Sequence, residues 1–201
     1  AVYGPIPIDG VEIDPDIIEV GRRYFDMHEP NLNAVAQDGR YFLANSPRQY
    51  DVIGVDAYRP PYIPPHLTTK EFFQEALAHL TERGVAVINV GRTRMDYSLV
   101  DALASTMTTV FPSVYVIDLP SFSAGLSNSL VVGTRQRTAL SNFAENVKLM
   151  QQPELQAVAS RAVGWAREFQ GQSIVFTDDK APVEQVVHKL IINFIRGSLG
   201  Q

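Results

Sequence analysis

The chain contains no cysteine, which excludes disulfides, thiolate metal sites and a cysteine nucleophile. It has no window approaching the ~18–20 uninterrupted apolar residues that a membrane-spanning helix needs. It has no excess of positive charge either. Seventeen Lys and Arg stand against 22 Asp and Glu, a net charge of −5. That balance argues against a nucleic-acid backbone as the main partner and is compatible with a cationic ligand. Internal repeats and low-complexity runs are absent, and the opening AVYGPIPIDG is neither a signal peptide nor a transit segment. The first residue is Ala1 rather than Met, so the expectation is a processed terminus or a part lying upstream. What is present is ordinary for a soluble globular protein: 201 residues, 45% hydrophobic and 19% charged, enough for one domain with a sizeable core. A cytoplasmic location is expected.

Short β-rich runs alternate with helix-period runs. Residues 5–13 read as a buried strand. The next segment begins with Asp14 as helix cap, Pro15 in the first turn and Asp16 at the positive end of the dipole. Ile17, Val20, Gly21, Tyr24 and Phe25 then share a face at helical spacing. Residues 34–37 form a short strand ending at Asp38-Gly39. Residues 50–58, YDVIGVDAY, have an unbroken apolar core of the kind found in sheets covered on both sides. The segment 59–66 has four prolines in eight residues and reads as a stiff loop. Thr68 and Glu71 are spaced as a capping box for a helix running to Gly84. Residues 84–91 form another buried strand. Leu99, Val100, Leu103, Met107, Val110 and Phe111 make one helical stripe before Pro112. Residues 113–120 and 129–135 read as strands with no helix between them, which predicts an antiparallel hairpin at the sheet edge.

Such alternation means an α/β fold with a mostly parallel sheet and right-handed crossovers. Residues 1–137 are expected to form this domain. Residues 138–201 are expected to be a helical extension packed on it. The extension has one or two helices over 139–170, an extended piece at 173–179 and a final helix at 182–195. The apolar face of that last helix suits docking, for example in a homodimer.

Ligands of open parallel sheets bind beyond the carboxyl ends of the strands. That rule selects Glu12, Asp38 with Gly39, Asp56 and Asn89, each at a predicted strand end. Glu12 suits a bidentate hold on ribose hydroxyls, and Asp56 precedes a rigid loop able to hold a catalytic group still. Each acid also has a purely structural reading. Glu12 and Asp14 serve a helix start, Asp38-Gly39 a turn, and Asp56 a cap or loop acceptor. The four histidines show no ligand spacing, and His79 and His188 read as helix surface. No metal is expected.

The stretches GVEIDPDIIEVGRRYF (10–25), QDGRYFL (37–43), YDVIGVDAYRPPYIPPHLTTKEFF (50–73) and TDDKAPVE (177–184) resemble the spermidine synthase family, in particular its bacterial spermidine-synthase-like branch. The resemblance implies a Rossmann-like class I methyltransferase fold. It implies that Glu12 binds the ribose of decarboxylated S-adenosylmethionine, that Asp38 accepts from the adenine amino group, and that Gly39 allows close approach. It implies that Asp56 binds and deprotonates the attacking amine, with Tyr58 and Tyr62 lining the amine channel. The sequence departs from the family in three places. Arg59 stands where the family has an acid. Asn89 stands where it has a glutamine-bearing segment. The first strand with its glycine loop does not occur in the chain.

The function so implied is aminopropyl transfer from decarboxylated S-adenosylmethionine to a polyamine. The alternatives are an S-adenosylmethionine-dependent methyltransferase acting on a small molecule, or a degenerate, non-catalytic regulatory or assembly module. The partners expected are a nucleoside and an amine. A membrane segment upstream of Ala1 is compatible with the family branch.

Overall fold

Asp14 starts the first helix in the computed structural model, which describes residues 5–58, 61–120 and 125–199. Two compact units are present, residues 1–47 and 48–201.

In the first unit, strand β1 (Ile8–Glu12) pairs in parallel with β2 (Leu32–Ala36). Helix α1 (Pro15–Tyr24) begins as the sequence predicts, with Pro15 in the first turn and the Asp14 carboxylate accepting from the Asp16 N–H at 2.9 Å. Its buried face differs from the expected stripe. Ile17, Val20, Tyr24 and Phe25 are 45–76% exposed, and Ile18 is the buried residue. A two-stranded sheet offers only a narrow apolar surface. The helix presents the row through Ile18 to it, while Gly21 sits against Met27, whose Cε would lie 3.0 Å from an added Cβ. Helix α2 (Gly39–Asn45) follows β2.

In the second unit, β3 (Tyr50–Val55) pairs in parallel with β4 (Leu80–Thr93), and with β5 (Ser113–Asp118), β6 (Leu126–Thr134) and β7 (Ala166–Glu168) the five strands lie in the order β3-β4-β6-β5-β7. Strands β3, β4 and β5 run the same way; β6 is antiparallel to both its neighbours. The predicted β5–β6 antiparallel pair exists, but β6 lies inside the sheet, not at its edge. The crossover from β4 through helix α4 (Ser98–Thr108) carries β5 one strand position too far for direct pairing. The chain then returns to fill the slot, and the buried Ser129 and Val131 of β6 suit that interior place. The outer position beside β5 is taken by β7 (Ala166–Glu168), three residues without strand-like patterning.

Two further boundaries differ from expectation. Helix α3 (Lys70–Ala78) is capped by Thr69, whose hydroxyl accepts from the Phe72 N–H at 3.2 Å, not by Thr68. Glu71 accepts from the Asp178 N–H instead of closing a capping box. Strand β4 starts at Leu80 rather than Gly84, because the Tyr50 N–H bonds His79 O and draws the chain into the sheet at once. Val52 of β3 is 60% exposed, so the described structure does not cover both sides of that strand. The residues after 137 belong to the second unit. They form α5 (Leu140–Lys148), α6 (Pro153–Trp165), β7 and α7 (Val183–Leu199). Phe176 of the extended piece is fully buried, and its N–H donates to the Thr106 hydroxyl at 2.9 Å. None of the α6 face is buried, whereas Val183, Val187 and Leu190 of α7 are.

The core lies between α4 and strands β4, β5 and β6. Val100, Leu103 and Met107 are wholly buried, each contributing about 1.5–3 kcal/mol by leaving water. Among the described residues no helix is long and apolar enough to cross a membrane. Gly133 of β6 faces this core, and a Cβ there would stand 2.5 Å from the Phe111 ring. Gly133→Ala is therefore expected to lower stability by about 1–3 kcal/mol through overpacking. Denaturant unfolding of the two proteins checks this; equal midpoints would count against close packing at Gly133.

Candidate active site

Strand β3 and strand β4 differ in length, and the candidate site lies where they part. Their pairing ends at Val55 opposite Ile88, yet β4 continues to Thr93. Asp56 is the first residue past β3. Asn89 is the first residue of β4 beyond that pairing, so it lies within the strand rather than at its end, as the sequence suggested. The Asn89 Nδ2 donates to Asp56 Oδ1 at 2.9 Å. A carboxylate only accepts, which sets the amide: nitrogen toward Asp56, oxygen away. Among the described residues the Asn89 Oδ1 has no donor, and it is shielded from solvent. Asp56 itself is exposed.

Tyr58 follows Asp56 by two residues. Its hydroxyl donates to Asn89 O at 2.9 Å and accepts from the Gly91 N–H at 2.9 Å. Burial pushes its phenol above the ordinary range, the Gly91 N–H opposes this, and the Asp56 charge adds to it. Asp56, Tyr58 and Asn89 thus form one connected group. The Tyr58 hydroxyl is committed to the backbone of β4.

Tyr62 lies further along the proline-rich segment, and its hydroxyl is 2.5 Å from His188 Nε2, with the two rings edge to face. His188 belongs to α7, so the tail helix holds the segment that leaves Asp56. The same helix reaches the turn after β4, where Asn193 Nδ2 donates to Asp96 Oδ2 at 3.2 Å. Asp96 also accepts from the Ser98 N–H at 3.0 Å at the start of α4. Burial alone would raise the Asp96 carboxyl, but the Ser98 and Asn193 hydrogen bonds and the nearby Lys189 charge bring it below its ordinary value. Sequence reasoning missed His188, Asn193 and Asp96. They meet residues as many as 126 positions away, and no local pattern signals such pairing. Arg59 lies outside the described residues.

In the first unit, Glu12 is the last residue of β1, and its Oε1 accepts from the Asp14 N–H at 3.0 Å. Asp38 is the N-cap of α2, its Oδ1 accepting from the Tyr41 N–H at 2.9 Å. The structural reading of Glu12 at a helix start is therefore realised, whereas Asp38 caps a helix in place of the expected turn, because Gly39 opens α2. A carboxylate accepts at both oxygens, so one backbone hydrogen bond does not by itself preclude a ligand. Gly39 opens α2 into free space, where an added Cβ would meet nothing within 4 Å. No contact among the described residues demands glycine there. Among the described residues no group of three His, Asp or Glu is placed to hold a metal.

Strands β3, β4 and β5 running the same way, with an antiparallel strand inserted between β4 and β5, define the class: an α/β fold of the class I methyltransferase kind. Residues 6–142 match the model of the spermine/spermidine synthase domain, and the chain belongs to that family. It is 34% identical over 199 residues to a probable polyamine aminopropyl transferase of Bifidobacterium longum, covering 90% of this chain and 44% of that protein. It is 31% identical to the polyamine aminopropyltransferase of Vibrio vulnificus, covering 76% and 52%. The chain thus spans about half the length of these curated relatives. Among solved structures, a spermidine synthase in complex with the transition-state analogue AdoDATO superposes with a TM-score of 0.63 at 20% identity, covering 79% of this chain and 61% of that one. Human methyltransferase-like protein 13 in complex with SAH gives 0.55 at 24%, covering 86% and 77%. These likenesses show the fold.

The Asp96 arrangement yields a pH prediction. Asp96→Ala removes the acceptor of the Ser98 and Asn193 hydrogen bonds and is expected to cost about 0.5–1.5 kcal/mol near neutral pH. Because the folded carboxyl titrates below its unfolded value, its charge-dependent share is complete above about pH 3.9 and is lost as pH falls through the folded value. Urea unfolding of wild type and Asp96→Asn across pH 2–7, which retains a neutral acceptor for the Ser98 N–H, reads that share. A difference that grows on acidification would contradict the lowered carboxyl.

Proposed function

We propose that the protein transfers an aminopropyl group from decarboxylated S-adenosylmethionine to an amine of the polyamine class, with Asp56 as the base. The observation that carries this reading is the Asp56–Asn89 pair: an exposed carboxylate at a strand end, oriented by an amide whose own oxygen is already out of water. A desolvated acceptor rewards an incoming N–H donor more than a hydrated one does. Asp56 attracts the cationic acceptor and takes its proton. The amine nitrogen attacks the methylene carbon beside the sulfonium, a C–N bond forms, and the C–S bond breaks. The sulfur keeps the electron pair and leaves as a neutral thioether. Proximity and general-base assistance are the terms the protein supplies.

On this reading Glu12 holds the ribose of the donor and Asp38 its adenine, with Gly39 giving close approach. The backbone N–H groups of Asp14 and Tyr41 fix the two carboxylates. Tyr62, held by His188, borders the path of the amine. Family membership and the named aminopropyltransferase relatives support the reaction class.

Thermal shift with methylthioadenosine, S-adenosylmethionine and decarboxylated S-adenosylmethionine tests the donor. Ligand at ~100 times its dissociation constant adds about 2.7 kcal/mol of stability. Stabilisation by the decarboxylated form is expected, and preference for the carboxylated donor would favour methyl transfer instead. Asp56→Asn is expected to cut turnover by about 10²–10⁴-fold with nucleoside binding retained. Unchanged turnover in that variant removes Asp56 from its role.

A further inference from the structure

We propose that Tyr58 is a positioning residue: its hydroxyl replaces a rung of the β3–β4 ladder and so fixes Asn89 against Asp56. The case begins with the unequal strands. On one side β4 remains paired with β6 up to Thr93, with Asn89 opposite Leu130 and Gly91 opposite Asn128. On the other side β3 stops at Val55. Past Ile88, then, the backbone groups on the β3 side lose their strand partner. Asn89 O and the Gly91 N–H are two of these groups, and both bond the Tyr58 hydroxyl. A buried backbone group left unpaired costs ~1–3 kcal/mol. One phenol can donate and accept together, so a single side chain satisfies both. Phenylalanine fills the same space and does neither.

The consequence reaches the side chain of Asn89. Its backbone is tied to Tyr58 and its amide to Asp56, and Tyr58 and Asp56 lie two residues apart on one segment. The loop of bonds closes on itself. Asn89 is held at both ends, so its amide keeps one orientation and the Asp56 carboxylate one rotamer. The raised phenol keeps the proton that this bridge requires. Tyr58 therefore acts on Asp56 through Asn89 without touching substrate, and the kinetic half of the inference rests on the aminopropyl-transfer reading.

Tyr58→Phe in the full chain tests the two halves separately. Amide hydrogen exchange by NMR needs no activity: the Gly91 N–H is expected to exchange at least ~10-fold faster in the variant, in line with the loss of about one hydrogen bond or more. Unchanged Gly91 exchange overturns the bridge. In turnover, kcat is expected to fall about 10-fold or more, the scale of a displaced catalytic group, while methylthioadenosine affinity stays the same. In an Asn89→Ala background the same substitution is expected to change kcat by less than about 2-fold, because coupled residues are not additive. An equal loss in both backgrounds overturns the route through Asn89. Absence of any transfer by the wild type would sink the reading of function, and the exchange result would still decide the bridge.

Discussion

A strand that outruns its neighbour is the constraint on which the second unit depends. β4 is fourteen residues long and is bonded on both sides for only part of that length. Over Val85–Ile88 it is an ordinary interior strand, with Ala86 and Ile88 buried toward the helices. Beyond Ile88 it is supported by β6 alone. A half-supported strand in a protein interior must find other partners for its backbone, since buried N–H and C=O groups are costly when unpaired. Tyr58 supplies those partners, and the side chains of Asp56 and Asn89 come together at the same place.

On the proposed function, a carboxylate whose rotamer is set by a neighbouring amide serves better as a base, because orientation is already settled when substrate arrives. The insertion of β6 contributes indirectly. By pairing with β4 as far as Thr93, it keeps that strand in the sheet past Ile88, where Asn89 meets Asp56.

The tail belongs to the same system. Helix α7 contacts the segment after β3 through His188 and Tyr62, and the turn after β4 through Asn193 and Asp96. The stretch before α7 clasps the start of α3, where the Thr69 hydroxyl donates to Asp178 at 2.7 Å and the Lys70 N–H bonds Phe176 O. Residues after 137 thus complete the unit that carries Asp56, even though their sequence pattern suggests an added helical layer.

Much of the fold was legible because its signals are local. Asp14-Pro15 announced α1, the apolar stripe from Leu99 to Phe111 announced α4, and short β-branched runs located β3, β5 and β6. Strand-end logic alone selected Glu12, Asp38, Asp56 and Asn89. The failures were non-local. The face that α1 buries, the interior slot of β6, the edge strand β7 and the start of β4 all depend on which surface lies opposite, and periodicity carries no information about that. The same limit separates residues from their roles. The sequence determined that acids stand at strand ends and that a tyrosine follows one of them by two positions. Only the tertiary structure decided that this tyrosine turns back to the backbone of Asn89, and that His188 meets Tyr62, because hydrogen bonds between distant segments exist only once the sheet has set their distance.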